Sequence, residues 1–503
     1  MMLEIARMED LEAICALYES TCAQMQGLNQ WSWGEYPSRD IVREDLEAGR
    51  LYVARQGGAP ICAVAIDQEQ EEQYARVDWL FGTRPGSFHR FAVAGELRGQ
   101  GLGRKVLGEI IQILQGMGCD SLRCDTSAEN AAALHLYESQ GMRRAGAVHY
   151  PPDLSKDYPC LEMPLTADCP LLPIPMTPAF RGGSLTPWGG KKLREIYGKE
   201  IPNDTTGESL EVSCIPGLES ADPMGVKLPE LIARYGEKLV GAYAGETFPL
   251  LLKLLDARES LSVQVHPGDA YAHEHENGKL GKTEAWMVLS ADPGAKIAYG
   301  LKPTDEKLSG IVARGEFEQA LNFVTVAPGD VYYIPHGMVH ALGGGVQVYE
   351  IQQSSDATYR FWDWGRVGRD GKPRALHTRK ALDVTRPELH MGKVAGATIL
   401  TEGGSVTHYV CDENFSFMRL NVAGTMPLSF PKMAFVTPLG PCELSWDGGS
   451  MELAPFETAL IPACQNTVRI KGRLPALCST LPDRESLRAG LGYRAEDVAG
   501  LTE

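Results

Sequence analysis

The chain has 503 residues, 44% of them hydrophobic, and a formal net charge of −17. That length and apolar content suit about three globular units, each able to bury its own core. The acidic balance argues against nucleic acid or an anionic membrane as a partner, and no apolar run is long enough to span a bilayer.

The first elements form a strand and helix pattern in Ile5-Ala-Arg-Met-Glu-Asp-Leu-Glu-Ala-Ile14. Acidic residues from Glu4 onward are unlike the basic start of a secretory signal. Arg90-Phe-Ala-Val-Ala94 predicts a strand that leads into Arg98-Gly-Gln-Gly101-Leu-Gly103-Arg104-Lys105. A helix follows, with Val106, Leu107, Ile110, Ile111, Leu114 and Met117 on one broad stripe. A glycine-rich turn entering a helix offers backbone N–H groups at the positive end of the dipole, which suits a pyrophosphate. The turn lacks the Gly-Lys-Ser/Thr ending of a P-loop and the spacing of a dinucleotide fingerprint. Residues 121–126 read as a further strand, and Asn130-x6-Tyr137-x3-Gly141-Met142 comes next.

Arg98-x-x-Gly101-x-Gly103 together with this second motif resembles the GNAT acetyltransferases over residues 1–166. The resemblance implies an α/β (α+β) fold, acetyl-CoA as co-substrate and an amine acceptor of unknown identity. It implies cofactor contacts from Val93, the turn Arg98, Gly99, Gln100, Gly101, Leu102, Gly103 and Arg104, and from Asn130. It makes Tyr137 a candidate proton donor to the departing thiolate, although a packed aromatic would read the same way. The region around Trp31, Trp33 and Arg39 is the expected acceptor side and does not name the acceptor. A domain that binds acetyl-CoA without turnover is the alternative.

Residues 167–178 follow, with four prolines in nine positions from Pro170 to Pro178. Proline excludes a continuing helix, and the stretch predicts a stiff, extended linker.

Ser260-Leu-Ser-Val-Gln-Val-His266 predicts a strand from its alternation and β-branched residues. Residues two apart on a strand share a face, so Gln264 and His266 point one way, and Val263 and Val265 the other. Lys282-Thr-Glu-Ala-Trp-Met-Val-Leu289 predicts a second strand with Lys282 and Glu284 on one face. A loop punctuated by Pro267, Gly268, Gly278 and Gly281 is expected between them. Gly329 and Pro335-x-Gly337 bracket two short strands, with His340 after the second turn. Two imidazoles, a carboxylate and an amide oxygen suit a divalent metal, with Zn²⁺ favoured and Mn²⁺, Fe²⁺ or Co²⁺ also compatible.

Gly329-x5-Pro335-x-Gly337-x2-His340 matches the second motif of cupin barrels, and Gln264-x-His266 with Glu284 resembles the first. Gly344 stands where that motif often ends in Asn. Leu261-Ser-Val-Gln-Val-His-Pro267, Gly281-Lys-Thr-Glu-Ala-Trp286, Ile334-Pro-His-Gly-Met-Val-His-Ala341 and Glu350-Ile-Gln-Gln-Ser-Ser-Asp-Ala-Thr-Tyr-Arg360 resemble type I phosphomannose isomerase. So do Trp188-Gly-Gly190 and Gly207-Glu-Ser-Leu-Glu-Val-Ser213. The resemblance runs from about Pro178 to about Ile470 and fits the short bacterial form. It implies one zinc held by Gln264, His266, Glu284 and His340, Lys282 and Arg360 beside the substrate, and Glu350 as proton carrier. The implied reaction interconverts mannose 6-phosphate and fructose 6-phosphate. A sugar-binding or regulatory module without turnover is the competing reading.

The expected organisation is multidomain: a GNAT domain (1–166), the linker (167–178), a mainly β cupin (jelly-roll) catalytic domain (179–380), a degenerate second barrel half (381–485) and a tail (486–503). The twelve cysteines lack paired C-x-x-C spacing and read as reduced core residues of a cytoplasmic protein.

Overall fold

The computed structural model describes residues 2–27, 33–151, 153–367, 372–465 and 467–501. They form two compact units, one of Met1–Leu172 with Trp446–Met451, the other of Pro173–Ser445 with Glu452–Glu503. No helix among the described residues is long and apolar enough to cross a membrane.

The first unit is built on a seven-stranded sheet. Its order is Glu4–Ile5, Leu51–Gln56, Ala59–Asp67, Pro85–Val93, Ser121–Asp125, Tyr158–Pro164, Arg143–Val148. Pro85–Val93 runs parallel to Ser121–Asp125, and the other pairings are antiparallel. Helices Leu11–Gly27, Arg39–Glu47, Leu102–Gly116 and Ala131–Ser139 complete it. The expected apolar stripe buries Val106, Leu107, Ile110 and Leu114 in the core with Ile14, Val64 and Phe88, whereas Met117 at the helix end is exposed.

The second unit is mostly antiparallel sheet. A six-stranded sheet runs Val331–Ile334, Glu284–Ala291, Val346–Gln353, Leu250–Ala257, Glu208–Val212, Ala179–Arg181. A five-stranded sheet runs Leu321–Thr325, Lys296–Leu301, His340–Ala341, Val263–Val265, Tyr359–Trp362. Side chains from both sheets meet at His340 and Glu284. The arrangement is a cupin-like sandwich of open sheets rather than a closed barrel. A nine-stranded sheet follows, led by the 14-residue pair Ser416–Ser429 and Thr467–Thr480.

Four boundaries differ from the sequence expectation. Residues 167–178 are not a free spacer, because Ile174–Met176 is a buried strand paired with Thr458–Ile461, and Leu171 bridges Phe81. The apolar residues between the prolines dominate: prolines at a strand edge cost few ladder bonds, and burying Leu171, Leu172, Ile174 and Met176 returns more. The segment after Pro267 contains a helix, Asp269–His275, rather than only loop, with Ala272 buried. The boundary set at 380/381 falls inside helix Thr378–Val384, whose Ala381 packs in one apolar core with Tyr359 and Phe361. The described part of the expected tail, residues 486–501, is packed: helix Arg484–Leu491 and the turn after it bury Leu491, Ala495, Val498 and Leu501 against Ala397 and Cys411.

Candidate metal centre and acyl-transfer site

Gln264, on the short strand Val263–Val265, pairs with His340 on one side and Arg360 on the other. Directly opposed residues share a face, so this row of three crosses the five-stranded sheet towards one side. Glu284 comes from the opposing six-stranded sheet. His266, Glu284 and His340 are buried, and their ligand atoms all lie within 4.8 Å of one another.

Proton positions follow from the partners. His266 Nδ1 lies 2.9 Å from the Ala357 carbonyl oxygen, and His340 Nδ1 lies 2.9 Å from that of Met338. A carbonyl only accepts, so each Nδ1 carries the hydrogen and each Nε2 keeps a lone pair. Those two Nε2 atoms stand 3.4 and 3.3 Å from the oxygens of Glu284. Burial, reinforced for His266 by Lys282, lowers both imidazoles, His266 to about 3, so both are neutral. Burial alone would raise Glu284, but the Lys282 ammonium beside it opposes that and helps hold the carboxylate well below its usual range. Glu284 Oε1 has no hydrogen-bond donor among the described residues. Neutral imidazoles and a carboxylate turned on one point repel one another unless a cation lies among them. These residues therefore fit a divalent metal.

Lys282 supplies one such cation, with Nζ 2.6 Å from Glu284 Oε2 and 3.1 Å from His266 Nε2. Gln264 turns its amide nitrogen to His340 Nε2 at 3.3 Å, and its Oε1 accepts from the Ser262 hydroxyl at 3.5 Å. Rotating the amide plane would present the expected oxygen ligand instead.

Glu350 lies on strand Val346–Gln353, in a row of Tyr332, Trp286, Glu350 and Lys253 across four strands. Its Oε2 accepts from Trp286 Nε1 at 2.8 Å, and its Oε1 is 3.2 Å from Lys253 Nζ. Lys253 is also 3.3 Å from Glu208, which pairs with Arg181 at 3.3 Å. Burial would lower Lys253, but Glu208 and Glu350 outweigh it and keep the ammonium charged. Sequence reasoning missed Arg181, Glu208 and Lys253. Lys253 interrupts the run Leu-Leu-Leu-Lys-Leu-Leu of a fully buried strand, the one signal available for it.

Arg360 is half-buried, and its Nε has no hydrogen-bond partner among the described residues. Burial and the nearby Arg374 lower its pKa. Arg366 and Arg374 share Asp363 at 2.5 and 2.6 Å, and Arg366 Nε and Nη1 have no partner among the described residues. Two guanidinium groups thus share one carboxylate, whose charge Arg360 also feels.

In the first unit, Gly99 and Gly101 take φ of 73° and 80° as the chain enters helix Leu102–Gly116, so the expected turn is present. A Cβ on Gly103 would stand 3.1 Å from Leu136, a close helix approach. Arg98 Nε donates to the Val93 carbonyl at 3.2 Å, Gln100 Nε2 to that of Glu96 at 2.8 Å, and Arg104 is exposed. Asn130 caps helix Ala131–Ser139, accepting from Ala133 N at 3.2 Å and donating to Thr126 Oγ1 at 3.3 Å. Tyr137 is buried edge-on against Phe88, and burial raises its phenol well above the ordinary value. Strand Pro85–Val93 pairs with Ser121–Asp125 over only three residues, Pro85 to Ser87, and leaves Phe88 to Val93 unpaired on that side. On the expected acceptor side, Trp33 packs edge-on against Tyr18, exposed Arg39 pairs with Glu12, and Trp31 lies outside the described residues.

Residues 12–142 match a family profile described as Acetyltransferase (GNAT) family, and residues 184–287 one described as Phosphomannose isomerase type I, catalytic domain. The chain is 42% identical over 249 residues to the mannose-6-phosphate isomerase of Streptococcus mutans, covering 48% of this chain and 77% of that protein. It is 42% identical over 212 residues to mannose-6-phosphate isomerase ManA of Bacillus subtilis, covering 40% and 67%. The crystal structure of a Bacillus subtilis mannose 6-phosphate isomerase superposes with a TM-score of 0.58 at 33% identity, over 62% of this chain and 100% of that one.

Proposed function

The chain belongs to the type I phosphomannose isomerases and carries a GNAT-family acetyltransferase domain, and on that premise we propose a zinc-dependent isomerase of mannose 6-phosphate and fructose 6-phosphate joined to an acetyl-CoA-dependent N-acetyltransferase. The observation that carries the isomerase reading is the convergence of buried lone pairs from His266, Glu284 and His340 on one point. Gln264, His266, Glu284 and His340 would hold the metal. Bound there, zinc supplies Lewis-acid stabilisation of charge on the substrate's oxygens.

The remaining work falls to side chains. Aldose–ketose exchange moves a proton between C2 and C1 through an enediolate. Glu350 carries that proton on a carboxylate oriented by Trp286 and Lys253. Arg360 and Lys282 offset the developing oxyanion charge, an effect strongest in a water-poor site. Arg366 has guanidinium N–H groups with no partner among the described residues, which supports its taking the phosphate. In the first unit, backbone N–H groups of residues 99–104 bind the pyrophosphate, and the edge from Phe88 to Val93, which Ser121–Asp125 does not pair, accepts the extended arm of acetyl-CoA. Tyr137 protonates the leaving thiolate, a role its neutral phenol suits.

The test is a coupled isomerisation assay on the full chain, metal-stripped and then zinc-reloaded. Chelation is expected to abolish turnover and zinc to restore it, whereas His340→Ala stays inactive after reloading. Full turnover in the stripped protein overturns the metal reading.

A further inference from the structure

Arg90 is bent against its own stereochemistry. It lies inside strand Pro85–Val93 with φ of 55°, in the left-handed region that a β-carbon disfavours. The pairing with Ala59–Asp67 shows why: Ala65 opposes His89 and Ala63 opposes Ala92, so Arg90 and Phe91 together face the single residue Val64. That is a β-bulge. It follows directly on the loss of pairing with Ser121–Asp125 after Ser87, so the strand turns away where the open edge begins.

Such a conformation persists only where its surroundings over-determine it. Asp45, 1% exposed, accepts from Arg90 Nε at 2.8 Å and from Arg90 Nη2 at 2.8 Å. Arg50 Nε fixes Asp45 in turn at 2.7 Å. Tyr18 donates its hydroxyl to the Arg90 carbonyl at 2.8 Å, and Arg90 Nη1 donates to the Tyr36 hydroxyl at 3.0 Å. Helices Leu11–Gly27 and Arg39–Glu47 thus grip both the side chain and the backbone of one strained residue.

We propose that Asp45 and Tyr18 are positioning residues for acetyl-CoA: their grip on Arg90 holds the bulge that keeps the slot between strands Pro85–Val93 and Ser121–Asp125 open. The inference rests on the acetyl-CoA reading given above. Neither residue touches the cofactor. Each acts through the backbone of Arg90.

The experiment is calorimetric titration of acetyl-CoA into the full chain, with isomerase turnover followed as a control. Asp45→Asn is expected to weaken binding about tenfold, and Tyr18→Phe about fivefold, the scale of one buried hydrogen bond. The decisive variant is Asp45→Asn with Arg90→Gly. Glycine takes a φ of 55° without a clamp, so binding should return to within about threefold of the unaltered chain. A merely structural or electrostatic Asp45 would not be rescued, so a double variant no tighter than Asp45→Asn overturns the proposal. Unchanged binding in both single variants overturns it too. Failure of the unaltered chain to bind acetyl-CoA overturns the cofactor reading itself.

Discussion

Glu284 sits where an amide cannot replace a carboxylate. Its oxygens face two imidazole nitrogens that carry lone pairs, because both Nδ1–H groups are spent on the Ala357 and Met338 carbonyls. Glu284→Gln keeps the volume, removes the charge and turns an NH₂ group towards the site. Zinc affinity should fall more than about 100-fold, since even outer partners of a metal ligand are worth about 10–100-fold. Metal content after dialysis against a buffered zinc solution reads the loss directly. A variant that retains one zinc per chain removes Glu284 from the ligand set. His266, Glu284 and His340 were legible in the sequence because strand alternation and the Pro-x-Gly turn fix which side they face. Arg181, Glu208 and Lys253 were not, because their meaning lies in one another, across three strands. Asn130 shows a different limit: the residue type that marks a cofactor motif is also a preferred helix cap, and it caps a helix here.

At the scale of the strand, the row Trp286, Glu350, Lys253 is a device for keeping a carboxylate buried and oriented. The Lys253 ammonium lies between Glu350 at 3.2 Å and Glu208 at 3.3 Å, all three side chains under 10% exposed. Lys253→Met preserves the stem and removes the ammonium that those two carboxylates share. Leaving such charges uncompensated costs about 3–5 kcal/mol, read as a lower denaturation midpoint of the second unit. Adding Glu208→Gln should recover part of the loss, whereas isomerase turnover should stay low because Glu350 keeps only its Trp286 contact and lacks the Lys253 ammonium. Equal stability of Lys253→Met and the unaltered chain would mean the network is solvated. Strands and helices of strong period were legible at this scale. The chain around the prolines was not. Ile174–Met176 reads as a spacer because proline dominates a local reading, yet its apolar side chains complete a sheet whose partner, Thr458–Ile461, lies almost 300 residues away in sequence. Helix Arg484–Leu491 was missed for a similar reason: its apolar face makes sense only against Ala397 and Cys411.

At the scale of the molecule, a net charge of −17 looks hostile to the two anionic ligands proposed, a sugar phosphate and acetyl-CoA. Screening resolves this, because beyond about 8 Å at physiological ionic strength the overall charge is largely hidden. Local groups decide: Arg360, Arg366 and Lys282 in one unit, and the dipolar turn at residues 98–104 in the other. Each unit has a core of its own, so each ligand should protect its own backbone. A zinc ion held by Gln264, His266, Glu284 and His340 would tie the two sheets together at that point, which opposes local opening in strands Val263–Val265 and Glu284–Ala291. In the proposed acetyl-CoA site the pyrophosphate would accept from backbone N–H groups at residues 99–104. Hydrogen exchange followed by mass spectrometry on the full chain should show zinc slowing those two strands about tenfold or more at saturation, and acetyl-CoA slowing residues 99–104 by a similar factor. Zinc protection that appears at residues 99–104, with strands Val263–Val265 and Glu284–Ala291 unchanged, would remove the metal from the histidine cluster. Acetyl-CoA protection absent from the glycine turn would send its pyrophosphate elsewhere.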